Sequence, residues 1–125
     1  MRFNIPDDRW EAAKTQAKAI MIGCAATPTR GLITYSDLVS KISAWIFDPH
    51  GHPLDLLLKE IAMEEDAAGR GMLTVLVVHK GGDNRPGNNF FTLARSLGRD
   101  ISNREDFWIA ELQRVYAAHQ RAMTR

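Results

Sequence analysis

The stretch MLTVLVVHKGGDNRPGNNFF, Met72 to Phe91, holds the residues of this chain best suited to chemistry. An apolar run ends on His79 and Lys80, then enters a turn rich in Gly, Asp, Asn and Pro. A histidine after a buried strand can act as a general base, and a glycine-rich turn beside a lysine can cradle phosphate. This turn is no P-loop, because the Gly-Lys-Ser/Thr ending is absent. Its glycines, asparagines and proline also satisfy turn geometry without any ligand. In DPHGHP, His50 and His52 alternate close to Asp48. Two imidazoles can share a metal ion, but a site needs a third protein ligand and no clear candidate is present. The run Glu64, Glu65 and Asp66 reads as a solvated helix face or a surface for a basic partner, with a chemical role beside His79 left open. Cys24, the single cysteine, falls on the apolar stripe of a helix. There a buried, inert thiol is the expectation.

These residues must be positioned by one domain, 1–125, long enough to bury a core without covalent staples. Hydrophobic residues make up 45% and charged residues 25%, ordinary for a soluble globular protein. With 16 Lys+Arg against 15 Asp+Glu, bulk charge does not drive the chain toward nucleic acid or membranes. One cysteine excludes an intrachain disulfide framework and a cysteine-based zinc site, and suits a reducing cytoplasm. No apolar run reaches membrane-span length, and MRFNIPDDRW does not read as a signal peptide.

Asp7 or Asp8 can cap a first helix with Trp10, Ala13, Ala17, Ile20, Met21 and Cys24 on one stripe, ending before Pro28. A short β-prone piece, Leu32 to Thr34, precedes a second helix capped by Thr34, with Leu38, Val39, Ile42, Trp45 and Ile46 on its apolar side. Pro53 opens a third helix that ends near Gly69. Met72 to Val78 reads as a buried strand, and FFTLARSLG as a short return strand with one or two helical turns. Ser102 and Glu105 form a capping box for a long last helix, with Trp108, Leu112, Val115, Tyr116 and His119 on one stripe. The expected fold is α+β and mostly helical. It has a winged helix-turn-helix-like core, a small antiparallel sheet, and flanking N- and C-terminal helices.

Two segments extend this into a family resemblance. LITYSDLV resembles the TYGEIA-type segment that opens the DNA-binding part of the alkylguanine-DNA alkyltransferases and alkyltransferase-like proteins. MLTVLVVHKGGDNRPGNNFFTLARSLG is similar to their strand, their PCHRV site and the turn that follows. On that alignment, covering Gly31 to Gly98, Val78, His79 and Lys80 take the places of the Cys, His and Arg. Alkyl transfer needs a thiolate that Val78 cannot supply, so the resemblance implies a non-catalytic DNA binder. The ITYxxL and PGxxFF patterns also resemble small winged-helix-like domains of bacterial proteins, some of which accompany nucleases.

The resulting expectation is binding and not catalysis, in the cytoplasm, with no cofactor and no metal. Duplex DNA is the leading ligand, and Tyr35, Lys80 and Arg85 are the phosphate-contacting residues. The third helix argues against this, since Asp55, Glu60, Glu64, Glu65 and Asp66 outnumber Lys59 and Arg70 for a net of −3, whereas phosphate requires cations. The alternative is a protein-interaction module, as a homodimer or the partner of a larger enzyme. A metal-dependent nuclease or hydrolase using His79 stands third, because Val78 occupies the place of a required carboxylate before Lys80.

Overall fold

Helices in this chain start where a short polar side chain or a proline precedes recurring apolar residues. The computed structural model describes residues 2–26, 31–79 and 85–123, with side chains to residue 120. Helix α1 spans Asp7–Ala26, with Asp7 and Asp8 in the first turn, where the helix dipole favours acids. It buries Trp10, Ala13, Ala17, Met21 and Ala25. Cys24 lies beside this stripe and is partly buried. Burial pushes its thiol above the usual range, opposed by Lys41, which disfavours the reactive thiolate.

Strand β1, Ile33–Thr34, leads into α2, Tyr35–Lys41. Thr34 is the expected cap: its Oγ1 accepts the Asp37 N–H at 3.1 Å. The helix stops at Lys41 instead of continuing through Ile46. Gln16 of α1 explains the stop, because its Oε1 accepts the N–H groups of Ser43 and Ala44, both at 3.0 Å. Those donors are then lost to a continuing helix. Downstream, Phe47 is buried edge-on against Trp10, while Ile46 is 94% exposed.

Helix α3, His52–Ala67, has Pro53 in its first turn, and Gly69 takes the left-handed conformation just beyond its end. It buries Leu54, Leu57, Leu58, Ile61, Ala62 and Glu65. The run Met72–Val78 is buried throughout but is extended only in part. Leu73–Leu76 form a 3-10 turn, and β2 is Val77–Val78 alone. Burial on every side removes the alternation that separates strand from helix in a sequence.

The sheet is parallel, not antiparallel as expected: Ile33 pairs with Val77 and Thr34 with Val78. Between the two strands the chain passes through α2 and α3, a crossover and not a hairpin, and crossovers join parallel strands. Phe90 and Phe91 belong to α4, Asn88–Ser96, and not to a return strand. Phe90, Phe91, Leu93 and Ala94 are buried there at helical spacing. The His79 N–H donates to the Arg85 carbonyl at 2.9 Å. Lys80 and most of the expected wing lie outside the described residues.

Helix α5, Arg104–Met123, is capped by Asn103, whose Oδ1 accepts the Asp106 N–H at 3.1 Å. The expected cap, Ser102, instead gives its N–H to Asp100 at 3.0 Å. Val115, Tyr116 and His119 are buried as expected, with Trp108 and Leu112 partly so. No described helix is long and apolar enough to cross a membrane.

Around the 3-10 turn, α1, α3 and α5 enclose a charged network. Glu65 is fully buried and accepts two hydrogen bonds from Arg70, at 3.0 and 2.6 Å, with Lys18 at 3.6 Å and His119 at 3.7 Å. Glu111 accepts the buried Met72 N–H at 2.8 Å and lies 3.4 Å from Arg99, which also pairs with Asp66. Gly71 is required beside it. Its φ is +86°, and a Cβ there would lie 3.1 Å from Val115 and 3.2 Å from Glu111.

The network makes stability depend on acidity. The Arg70 hydrogen bonds hold Glu65 below its ordinary 4.5 despite burial, with Lys18 reinforcing them. Burial holds His119 below its ordinary 6.5, opposed by Glu65 and aided by Arg70. Both groups therefore bind protons more readily in the unfolded chain, so acidification favours unfolding. The urea midpoint should fall first as pH drops below 6.5 and again below 4.5. His119→Gln should remove the upper stage and keep the lower; an unchanged upper stage in that variant would refute the assignment.

Candidate ligand cleft

The parallel register sets Thr34 opposite Val78, so the next residues, Tyr35 and His79, emerge side by side. Their ring centroids are 4.8 Å apart, and His50 stacks beyond at 6.2 Å from His79. The Tyr35 hydroxyl accepts the Gly87 N–H at 3.0 Å. A Cβ on Gly87 would lie 3.0 Å from His79 Nε2 and 3.4 Å from the Tyr35 hydroxyl, so this approach excludes a larger residue without displacement. Burial pushes the Tyr35 phenol above its usual range, with the Gly87 N–H opposing and Asp55 reinforcing. Tyr35 is thus a neutral hydroxyl in a recess of about 210 Å³ that it shares with Pro49, His50, Asp55, His79, Gly87, Asn88 and Asn89.

A larger cleft of about 560 Å³ shares Tyr35, Asp55 and Asn89 with this recess. Helix α3 contributes His52, Asp55, Leu56 and Lys59, spaced by three and four residues and so on one face. Helix α4 contributes Asn89, Thr92, Leu93 and Ser96 with the same spacing, and Leu58, Thr74 and Phe90 complete the lining with Phe3. Asn89 Nδ2 donates to Asp55 Oδ2 at 2.9 Å, clasping the two helices across the cleft.

Phe3 is 52% exposed and, like Asn4, has a left-handed backbone, with φ of 52° and 63°. That conformation costs a non-glycine residue about 1–2 kcal/mol. Neighbouring bonds hold it: Arg2 pairs with Glu60 at 3.0 Å, lies 5.3 Å over the Trp10 ring, and accepts the Ile5 N–H at 2.8 Å.

The Ser96 hydroxyl donates to the Leu93 carbonyl at 2.6 Å, which turns it toward its own helix. Among the described residues no group of three or more His, Cys, Asp or Glu side chains is gathered for a metal. Apolar walls with a few fixed polar groups are what small-ligand sites present.

Of the residues expected to touch phosphate, Tyr35 stands at the junction of cleft and recess. Arg85 pairs with Glu105 at 2.9 Å and lies 5.9 Å over the Trp108 ring, so its guanidinium is engaged on α5. Lys80 lies outside the described residues. The acids of α3 also have internal partners: Glu60 and Glu64 with Lys14, Glu65 with Arg70, Asp66 with Arg99. Asp55, Lys59, Asn89 and Thr92 did not emerge from the sequence as site residues. Their signal was a mixed polar face at helical spacing, visible only once Asn88–Ser96 is recognised as a helix. No protein-family model, curated protein or solved structure matches the chain, so function must be drawn from this geometry.

Tyr35→Phe deletes the acceptor of the Gly87 N–H and should lower unfolding stability by about 1 kcal/mol. Urea denaturation checks this, and an unchanged midpoint would mean that the bond contributes nothing.

Proposed function

We propose that this chain is a non-catalytic binding domain whose ligand occupies the cleft between α3 and α4. The observation that carries this is the cleft of about 560 Å³, lined by Leu56, Phe90 and Leu93 together with polar side chains that include Tyr35, Asp55, Lys59 and Asn89. Its volume falls within the range of roughly 300–1,000 Å³ typical of sites for small organic ligands. An exposed aromatic on a strained backbone, Phe3, adds a further apolar surface.

An uncharged aromatic probe, 1-pyrenebutanol, should bind the folded protein saturably at one site. Thr92 is exposed and lines the cleft, so Thr92→Trp fills the space without touching the core. This variant should bind the probe at least about tenfold more weakly. No saturable binding of this probe or of its carboxylate analogue, or equal binding to the variant, would overturn the proposal.

A second reading, duplex DNA binding by a winged-helix-like core, is supported by one arrangement. His79 and Arg85, the described residues on either side of Lys80 in the sequence, share a backbone hydrogen bond, and Tyr35 packs against His79. Phosphate contact by Arg85 would have to compete with Glu105. Binding should be detectable by fluorescence anisotropy at low salt and should weaken steeply as salt rises. A Lys80/Arg85 double alanine should lose affinity on every sequence alike. Absence of binding to any duplex at low salt would eliminate this reading.

A further inference from the structure

We infer that the ligand of the cleft is an amphipathic monoanion, an aromatic or aliphatic body carrying one carboxylate, with the carboxylate on Lys59. This rests on the cleft being the ligand site and adds the ligand's charge. The basis is an imbalance in how α3 is neutralised. Cations on or against this helix have carboxylate partners within 4 Å: Arg2 and Lys14 on Glu60, Lys18 on Glu64, Arg70 on Glu65, Arg99 on Asp66. Lys59 has no such pairing among the described residues, although it is exposed and lines the cleft.

Its natural partner is one turn away. Asp55 precedes Lys59 by four residues, the spacing and order at which an acid and a lysine pair along a helix. Instead the Asp55 carboxylate accepts the Asn89 amide across the cleft at 2.9 Å. The clasp therefore sets the acid on Asn89 of α4 and leaves Lys59, which lines the cleft, without a carboxylate partner among the described residues. A carboxylate on the ligand would complete the pair that Asp55 does not make, while Leu56, Phe90 and Leu93 receive the apolar body.

The net charge of the ligand follows from the same lining. Lys59 and Asp55 are one cation and one anion. A single negative charge can be placed on Lys59, whereas a dianion such as a phosphate monoester would leave its second charge beside Asp55. A cationic ligand would meet Lys59, with Asp55 already engaged by Asn89.

The test compares 1-pyrenebutyrate with the isosteric, uncharged 1-pyrenebutanol by fluorescence titration. At low salt the acid should bind about fivefold more tightly than the alcohol, the strength of a good exposed ion pair. High salt should erase that advantage. Lys59→Gln should abolish the preference for the acid, and Lys59→Arg should restore it. Equal affinity of the two probes for the native protein, or a preference that persists in Lys59→Gln, would overturn the monoanion assignment while leaving the cleft as a binding site. Failure of both probes to bind would overturn the cleft itself.

Discussion

Glu65 is a carboxylate kept charged in the interior, and the packing of three helices depends on it. A buried charge is tolerated only when hydrogen bonds and opposite charge replace its lost hydration. Arg70 closes the C-terminal end of α3 onto it, Lys18 reaches it from α1, and His119 approaches from α5. Glu111 does the same for the turn that follows, binding the Met72 N–H and Arg99. Carboxylates with fixed partners define one registration, and with it the direction in which α3 presents its opposite face to α4.

That arrangement changes the meaning of the charge on α3. Counted along the chain, the helix is strongly acidic and looks built to repel nucleic acid or to attract a basic protein. In the fold, most of that charge is neutralised by Lys14 of α1 and by Arg70 and Arg99 in the segments flanking the helices. Net charge per helix is a statement about an isolated segment, whereas binding depends on what remains unpaired after packing. Here the remainder is confined to the cleft face, where Asp55 and Lys59 stand one turn apart and do not pair.

Much of the helical framework was legible in the residues themselves. Thr34 and Pro53 act locally, through a cap and a fixed φ, and Asp7 and Asp8 stand in the first turn of α1 where the helix dipole favours acids, so the starts of these helices were legible in the residues themselves. The end of α2 was not legible, because the side chain responsible, Gln16, is distant in sequence. The sheet was misread for a related reason: Gly, Asn and Pro after Val78 suggest a hairpin, but strand direction is set by two intervening helices. Glu65 had a readable signal, as it extends the apolar stripe of Leu54, Leu58 and Ile61. Taken together with Glu64 and Asp66 as one acidic run, it looked like a surface residue. The cleft required two faces from separate helices, and one of those helices had been read partly as strand.

The two-residue parallel ladder has a consequence for the order in which the molecule is built. It joins Ile33 to Val77 across the whole of α2 and α3. Closing so long a loop has an entropic cost that two residue pairs cannot offset on their own. The ladder is therefore a product of helix docking and cannot nucleate it. Tyr35 and His79 are set side by side only when this pairing is complete. The recess between Tyr35 and His79 thus takes shape only once the helices have docked, and it depends on their staying docked.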